Sequence, residues 1–419
     1  ASADRPQGWT VKPALRITLL HALFGWLNLS LTAPGIYLWL GLPLIMRQHG
    51  WSGMDIGLFQ LAGLPALFKF ALAWPVECLR GAADASTQRY RPWAIALCLL
   101  LAAVMLLMGR RELLHSRNEL FALACAVALL TTWADIPVNA LAIRVLPEAQ
   151  RLRAGGIRSA ALSLGAIVGG GIMLLLQTRW GWRAPFWLMA AGIGMGAAGL
   201  LLLGKTARTA HAGDATAHRG ADWRGYFAQP AAPRWNALLL LCFPFIGSAW
   251  FYLKPLLLDH GFAAQQVALI AGVGGGSVAA LASLLAVRVT RRIGVAKALP
   301  AVTLLSLLAL LALALAVLLR PPPAGFIAAA LLVALAMGAA ASLAFGLMMY
   351  FARPGHSAAD YGVQASLFAA GRMLVPLAAG ALLDQIGYGG MLLALAVAMA
   401  GVTVLAFDSR ALIARQAAH

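Results

Sequence analysis

The sequence predicts an all-α membrane protein of twelve transmembrane helices, arranged as two pseudo-symmetric six-helix bundles. Three observations lead there. First, 62% of the 419 residues are hydrophobic, 11% are charged, and mean hydropathy is +0.82. A soluble domain has roughly 45–50% apolar and about 25% charged residues, so this chain takes lipid as its solvent. Second, the apolar residues fall into twelve runs near the length of about 20 residues that a bilayer requires. Third, the chain repeats itself. His49-Gly50-Trp51, Asp55-Ile56, Leu58 and Gly63 return as His260-Gly261-Phe262, Gln266-Val267, Leu269 and Gly274, at a constant offset of 211 residues. That offset is half the chain, and two similar membrane halves are a mark of secondary transporters.

The runs, in order, are 15–46, 54–79, 93–109, 119–146, 154–178 and 183–204, then 235–259, 264–288, 298–319, 325–352, 359–385 and 388–408. The stretch Arg16–Met46 is too long for the apolar core of a signal peptide and reads as a mature first span. Pro34-Gly35 and Pro376 mark kinks, which neighbouring helices can tolerate by satisfying the freed backbone groups. These runs divide the chain into an N-terminal bundle (1–204), a linker (205–234) and a C-terminal bundle (235–419). The linker is Ala-rich and basic, and about 30 residues build no core of their own.

Net charge is +18, yet this is no nucleic-acid signal, because the basic residues cluster between the apolar runs. With the N-terminus inside, the cytoplasmic segments hold 21 Lys and Arg and the outer loops seven. That excess places both termini in the cytoplasm. Cys78, Cys98, Cys125 and Cys242 form no Cys-x-x-Cys pair and read as buried packing. The chain has no P-loop, no His-Glu-x-x-His and no Gly-x-Ser-x-Gly, so neither an enzyme, a cofactor nor a bound metal is expected.

Five charges fall inside the spans: Lys69, Asp135, Arg158, Lys254 and Arg372. A charge at bilayer depth is costly and normally faces a cavity or a partner. Four cations suit an anionic substrate; pairing of Asp135 with Arg158 or Lys69 is the purely structural alternative. Asp135 is the one carboxylate well away from both membrane faces, which suits proton coupling with Arg158 beside it, or a permanent ion pair. Aromatic and polar side chains gather on spans 1, 7, 10 and 11. Trp26, Asn28, Tyr37, Trp250, Tyr252, Met349 and Gln364 are therefore candidates, with Lys69, Lys254 and Arg372, to line a central site between the repeats. Rings there suit a substrate with planar rings.

Several segments resemble the AmpG-like branch of the major facilitator superfamily. They are Gly41-Leu42-Pro43-Leu44, Asp55-Ile56-Gly57-Leu58-Phe59, Phe68-Lys69-Phe70, Ala134-Asp135-Ile136, Val145-Leu146-Pro147-Glu148, Gly181-Trp182-Arg183, and Asp360-Tyr361 with Gln364 and Gly371-Arg372. Within the branch, twelve spans and the Asp360-Tyr361-x-x-Gln364 motif look most like RhtX/FptX-type siderophore permeases. The resemblance implies the major facilitator fold and a monomer in the bacterial inner membrane. It implies proton-coupled import of a siderophore or its ferric complex by alternating access. The runner-up substrate is an anhydro-muropeptide. Two departures from the branch stand out. Glu77 and Arg80 replace the usual Asp-Arg after span 2, where the resemblance implies a gate. Asn139 occupies the place where relatives often carry a second Asp, which argues against a two-carboxylate relay.

Overall fold

The computed structural model describes residues 13–51, 55, 58–59, 61–78, 90–203, 222–353 and 356–418. All regular structure among them is helical. The first span, α1, runs Pro13–Ile36, loosens into a π-helical turn at Tyr37–Gly41 and continues as Leu42–Gln48. The second, α2, begins as a tight 3-10 stretch, Leu61–Phe68, and becomes α-helical at Lys69–Cys78. Then follow α3 (Tyr90–Met108), α4 (Arg117–Val145), α5 (Arg151–Ile167, extended through a π turn at Val168–Ile172 to Met173–Trp180) and α6 (Arg183–Leu202).

The second half repeats the order. Its first span, α7, is Ala232–Leu241 and Pro244–Asp259. Next come α8, a π-helical Ala268–Gly274 leading into Gly275–Ile293, then α9 (Val295–Leu319) and α10 (Pro323–Tyr350). A continuous helical stretch Ser357–Ala418 reverses at Gly387, whose φ of 68° only glycine adopts freely. It is therefore two spans, α11 (357–386) and α12 (388–418), and the turn falls where the apolar runs separate. Ten helical stretches among the described residues are long and apolar enough to cross a membrane. Counting the last as two, and adding the broken α2, gives twelve.

An even number of crossings puts both ends of the chain at one end of the bundle, called here the termini end. The halves meet there. Gly155 of α5 packs so tightly on Gly346 of α10 that a Cβ would overlap the partner's backbone. Ser159 Oγ of α5 lies 2.8 Å from Ser283 Oγ of α8, and Tyr350 Oη donates to Glu148 O at 3.0 Å. Small residues permit close backbone approach, the usual basis of helix pairing in lipid. On the other side of the interface, Glu77 at the end of α2 accepts the N–H groups of Ala358 (2.8 Å) and Ala359 (3.1 Å) and the hydroxyl of Tyr90 (3.0 Å). A carboxylate of the first half thus caps the N-terminus of α11 in the second, where the helix dipole favours negative charge.

Asp222 starts a short helix, Trp223–Phe227, that leads into α7. Arg353 binds it to the second half, donating to Asp222 Oδ2 (2.9 Å) and to both oxygens of buried Asp360 (2.8 Å each). Hydrogen bonds from the Gly225 N–H and from Arg353 hold the Asp222 carboxyl below the usual carboxylate range.

Candidate functional site: a charged cluster between the halves

At the centre of the bundle the sequence's intramembrane charges converge. Asp135 sits on α4 beyond the reach of either membrane face. Lys69 Nζ, from α2, approaches Asp135 Oδ2 at 2.6 Å. Arg158, from α5, forms a two-pronged pair with the same carboxylate, at 2.8 Å to Oδ1 and 3.1 Å to Oδ2. Asn139, one helical turn after Asp135, donates to Oδ1 at 2.9 Å. Tyr361, from α11, donates to Oδ2 at 2.8 Å. Arg158 is anchored from behind by Asn28 of α1, whose Oδ1 accepts at 2.8 Å. The rings of Phe345 and Tyr361 lie 4.8 and 5.5 Å from its guanidinium. Asp135 and the four residues that donate to it are largely buried. Removing Asp135 would leave two cations buried without their partner, a loss of about 3–5 kcal/mol. The pairing foreseen as an alternative is what the structure contains, with both cations at once, and the cluster keeps one net positive charge.

Arg372 of α11 is different. Its side chain is exposed, yet it lies within electrostatic reach of Lys69 and Arg158. Exposure that deep means a cavity reaches it. Its guanidinium lies 5.9 Å from the Phe368 ring and 6.0 Å from Phe243. Phe368 in turn packs on Phe345 (5.1 Å) and Phe243 (5.0 Å). A ladder of rings therefore runs from Arg158 to Arg372, with a cation at each end. Neither Arg372 nor Lys254 makes an ion pair among the described residues. Lys254 is exposed on the face of α7 that also carries Phe251 and Leu258.

Several residues expected at this site lie elsewhere. Trp26 donates to Gly192 O of α6 at 2.8 Å, on the flank of the first half. Two residues along a helix rotate the side chain by about 200°, so Trp26 points away from the cluster that Asn28 joins. Tyr37 is fully buried against Phe186 and bonded to Gln177. Met349 is buried. Gln364 is spent inside the second half, accepting from Trp235 Nε1 (2.7 Å) and donating to Met348 O (3.1 Å). None of these four faces the cavity. Trp250 packs on Gly275, where a Cβ would meet its ring, and Tyr252 Oη donates to Pro376 O at 2.9 Å. Both brace the α7 face beside Lys254. Arg80 lies outside the described residues. Conversely, Tyr361 and Asn139, noted in the sequence as parts of motifs, and the three phenylalanines of the ladder were not among the residues expected to form the site. Spacing of four from Asp135 to Asn139 and from Phe368 to Arg372 was the available signal.

Comparison with known proteins matches this architecture. The family description of the Major Facilitator Superfamily fits residues 17–376. The chain belongs to that superfamily. Its members named here are transporters rather than enzymes. In sequence, the chain is 30% identical over 181 residues to an anhydromuropeptide permease of Escherichia coli K12, a stretch covering 43% of this chain and 35% of that protein. The match thus spans about a third of the relative's length. In structure it resembles FucP, a major facilitator transporter in the outward conformation, with a TM-score of 0.71, 17% identity and 94% and 98% of the two chains covered. A bacterial homologue of the iron transporter ferroportin, outward-facing with soaked iron, gives a TM-score of 0.67 at 14% identity, covering 94% and 98%. At these identities the structural likeness speaks to the fold.

Proposed function

We propose that this major facilitator transporter imports an organic anion of the siderophore class across the bacterial inner membrane. Both termini lie in the cytoplasm, a placement supported by the threefold excess of basic residues in the loops on that side. The closed termini end then faces inward and the cavity outward. The observation that carries the reading is Arg372, a cation without a carboxylate partner among the described residues, held between Phe243 and Phe368 at the bottom of that cavity. It receives the anionic group of a planar substrate, and Lys254 adds a second positive charge on the cavity wall. Trp250 and Tyr252 support that wall, while the phenylalanine ladder replaces the tryptophan and tyrosine of α1 as the stacking surface. Stacking gains about 0.5–1.5 kcal/mol per ring pair beyond burial. Asp135, with Arg158 and Lys69 against it, is the site at which a proton drives transport. Glu77 closes the inner gate by capping α11.

A second reading, an anhydro-muropeptide as substrate, is favoured by the 30% identity to the permease of that name. Peptide carboxylates would also pair with Arg372, but sugar hydroxyls ask for more hydrogen-bonding partners than a ladder of phenylalanines offers. Growth of a deletion strain separates the two. The proposal expects loss of iron-limited growth on an aryl-bearing siderophore. Normal growth on that siderophore together with failed cell-wall recycling would establish the muropeptide reading instead.

A further inference from the structure

Among the described residues, every donor to Asp135 but one belongs to its own half of the molecule. Lys69, Asn139 and Arg158 sit on α2, α4 and α5, and move with it. Tyr361 alone comes from the other half, on α11. The carboxylate receives five hydrogen bonds, two at Oδ1 and three at Oδ2. An ionised carboxylate offers about four lone-pair sites, so the set is already full. A proton added there takes an acceptor site away and brings a donor in its place. Lysine and arginine cannot accept it. Asn139 can present an acceptor only by turning its amide, whose Oδ1 is buried without a partner. The Tyr361 hydroxyl can rotate, but its bond to Asp135 then ceases to be one to a charged group. Such a bond is roughly twice as strong as its neutral counterpart.

We propose that Tyr361 is the residue that transmits the protonation state of Asp135 across the interface between the halves. With Asp135 ionised, the hydroxyl ties α11 to α4 beside the Glu77 cap and holds the termini end shut. With Asp135 protonated, the tie weakens and the termini end opens. The charged and titratable groups facing Asp135 are Lys69 of α2, Arg158 of α5 and Tyr361 of α11, with Arg372 of α11 within electrostatic reach of the two cations. Among the described residues, only Tyr361 reports to the other half by a hydrogen bond to the carboxylate itself. Tyr361 is thus a positioning residue. Its assignment rests on the reading that Asp135 carries the coupling proton.

Spin labels at exposed Arg153 (α5) and Arg291 (α8) flank the termini end in the two halves. Their distance distribution in the full chain, in lipid nanodiscs titrated from neutral pH toward acid, tests the idea. The wild type should shift toward longer distances as pH falls. Tyr361→Phe, which keeps the ring over Arg158 but removes the hydroxyl, should give a distribution that no longer responds to pH. Ser366→Ala removes another bond between the halves, from Phe70 N at 3.0 Å, without touching Asp135, and should keep the response. A wild-type-like pH response in Tyr361→Phe overturns the inference. So does loss of the response in Ser366→Ala, because any weakened contact would then suffice. Asp135→Asn separates this inference from the reading beneath it. Loss of the response in Asp135→Asn with retention in Tyr361→Phe leaves Asp135 as the proton site and removes only Tyr361. Retention in both removes Asp135 as well.

Discussion

Arg372 and Asp135 illustrate two ways of keeping charge inside a membrane. Asp135 is surrounded by donors and two cations, so its cost is met within the protein. Among the described residues, Arg372 is exposed and meets only ring faces, each contributing about 0.5–2 kcal/mol. A site built that way gains most when an anion enters. Arg372→Ala and Lys254→Ala should each weaken substrate binding by about 1.5–3 kcal/mol, roughly 10- to 100-fold, since each loses a charge-assisted contact. Tryptophan quenching or calorimetry on the purified protein measures this. Trp26→Phe serves as the control. Its indole bonds to α6, so affinity should be unchanged. Equal losses in all three variants would mean that the effect is general destabilisation.

At the scale of the helix, spacing and hydropathy were enough to place the spans, because lipid demands long apolar runs. The reversal at Gly387 fell between two such runs for the same reason. Which face of each helix meets the cavity was not legible. A span such as α1 is apolar all round, so no stripe distinguishes the lipid side from the protein side. Trp26 and Tyr37 were therefore expected at the site on composition alone, and packing against α6 turned them away. Charges were better guides, since a buried charge has few places to go: three of the five intramembrane charges meet in one cluster, and Arg372 lies within electrostatic reach of it. The π turns in α1 and α5 left no pattern in sequence either. They meet where Gly169 lies against Ala33 and Tyr37, too close for any side chain. Such turns often occur at functional sites, and here they sit toward the end opposite the termini. Gly155 and Gly346 make the matching close contact at the closed end. Gly155→Val should overpack that crossing, at a cost of about 1–3 kcal/mol to the closed arrangement. The label pair at Arg153 and Arg291 should then read longer distances at every pH. An unchanged distribution would show that the crossing absorbs the extra volume.

Across the whole molecule, the two halves are joined by contacts of unequal kind. One side of the interface uses small residues, at Gly155–Gly346 and Ser159–Ser283, and resists separation through packing. The other uses the Glu77 cap and the Asp135 cluster, which depend on charge. In the mechanism proposed above both sides must part, and the second is the side that responds to the proton. The 211-residue repeat made this two-part construction visible in the sequence, while the contact of Tyr361 with Asp135 became visible only when α11 was placed beside α4. The most direct test of the account is uptake by the purified protein in liposomes, with an inward proton gradient imposed. Radiolabelled ferric aryl siderophore and labelled anhydro-muropeptide would be offered separately. The account predicts accumulation of the siderophore complex above its external concentration, abolished by a protonophore, with no accumulation of the muropeptide. Gradient-driven accumulation of the muropeptide and none of the siderophore would contradict it.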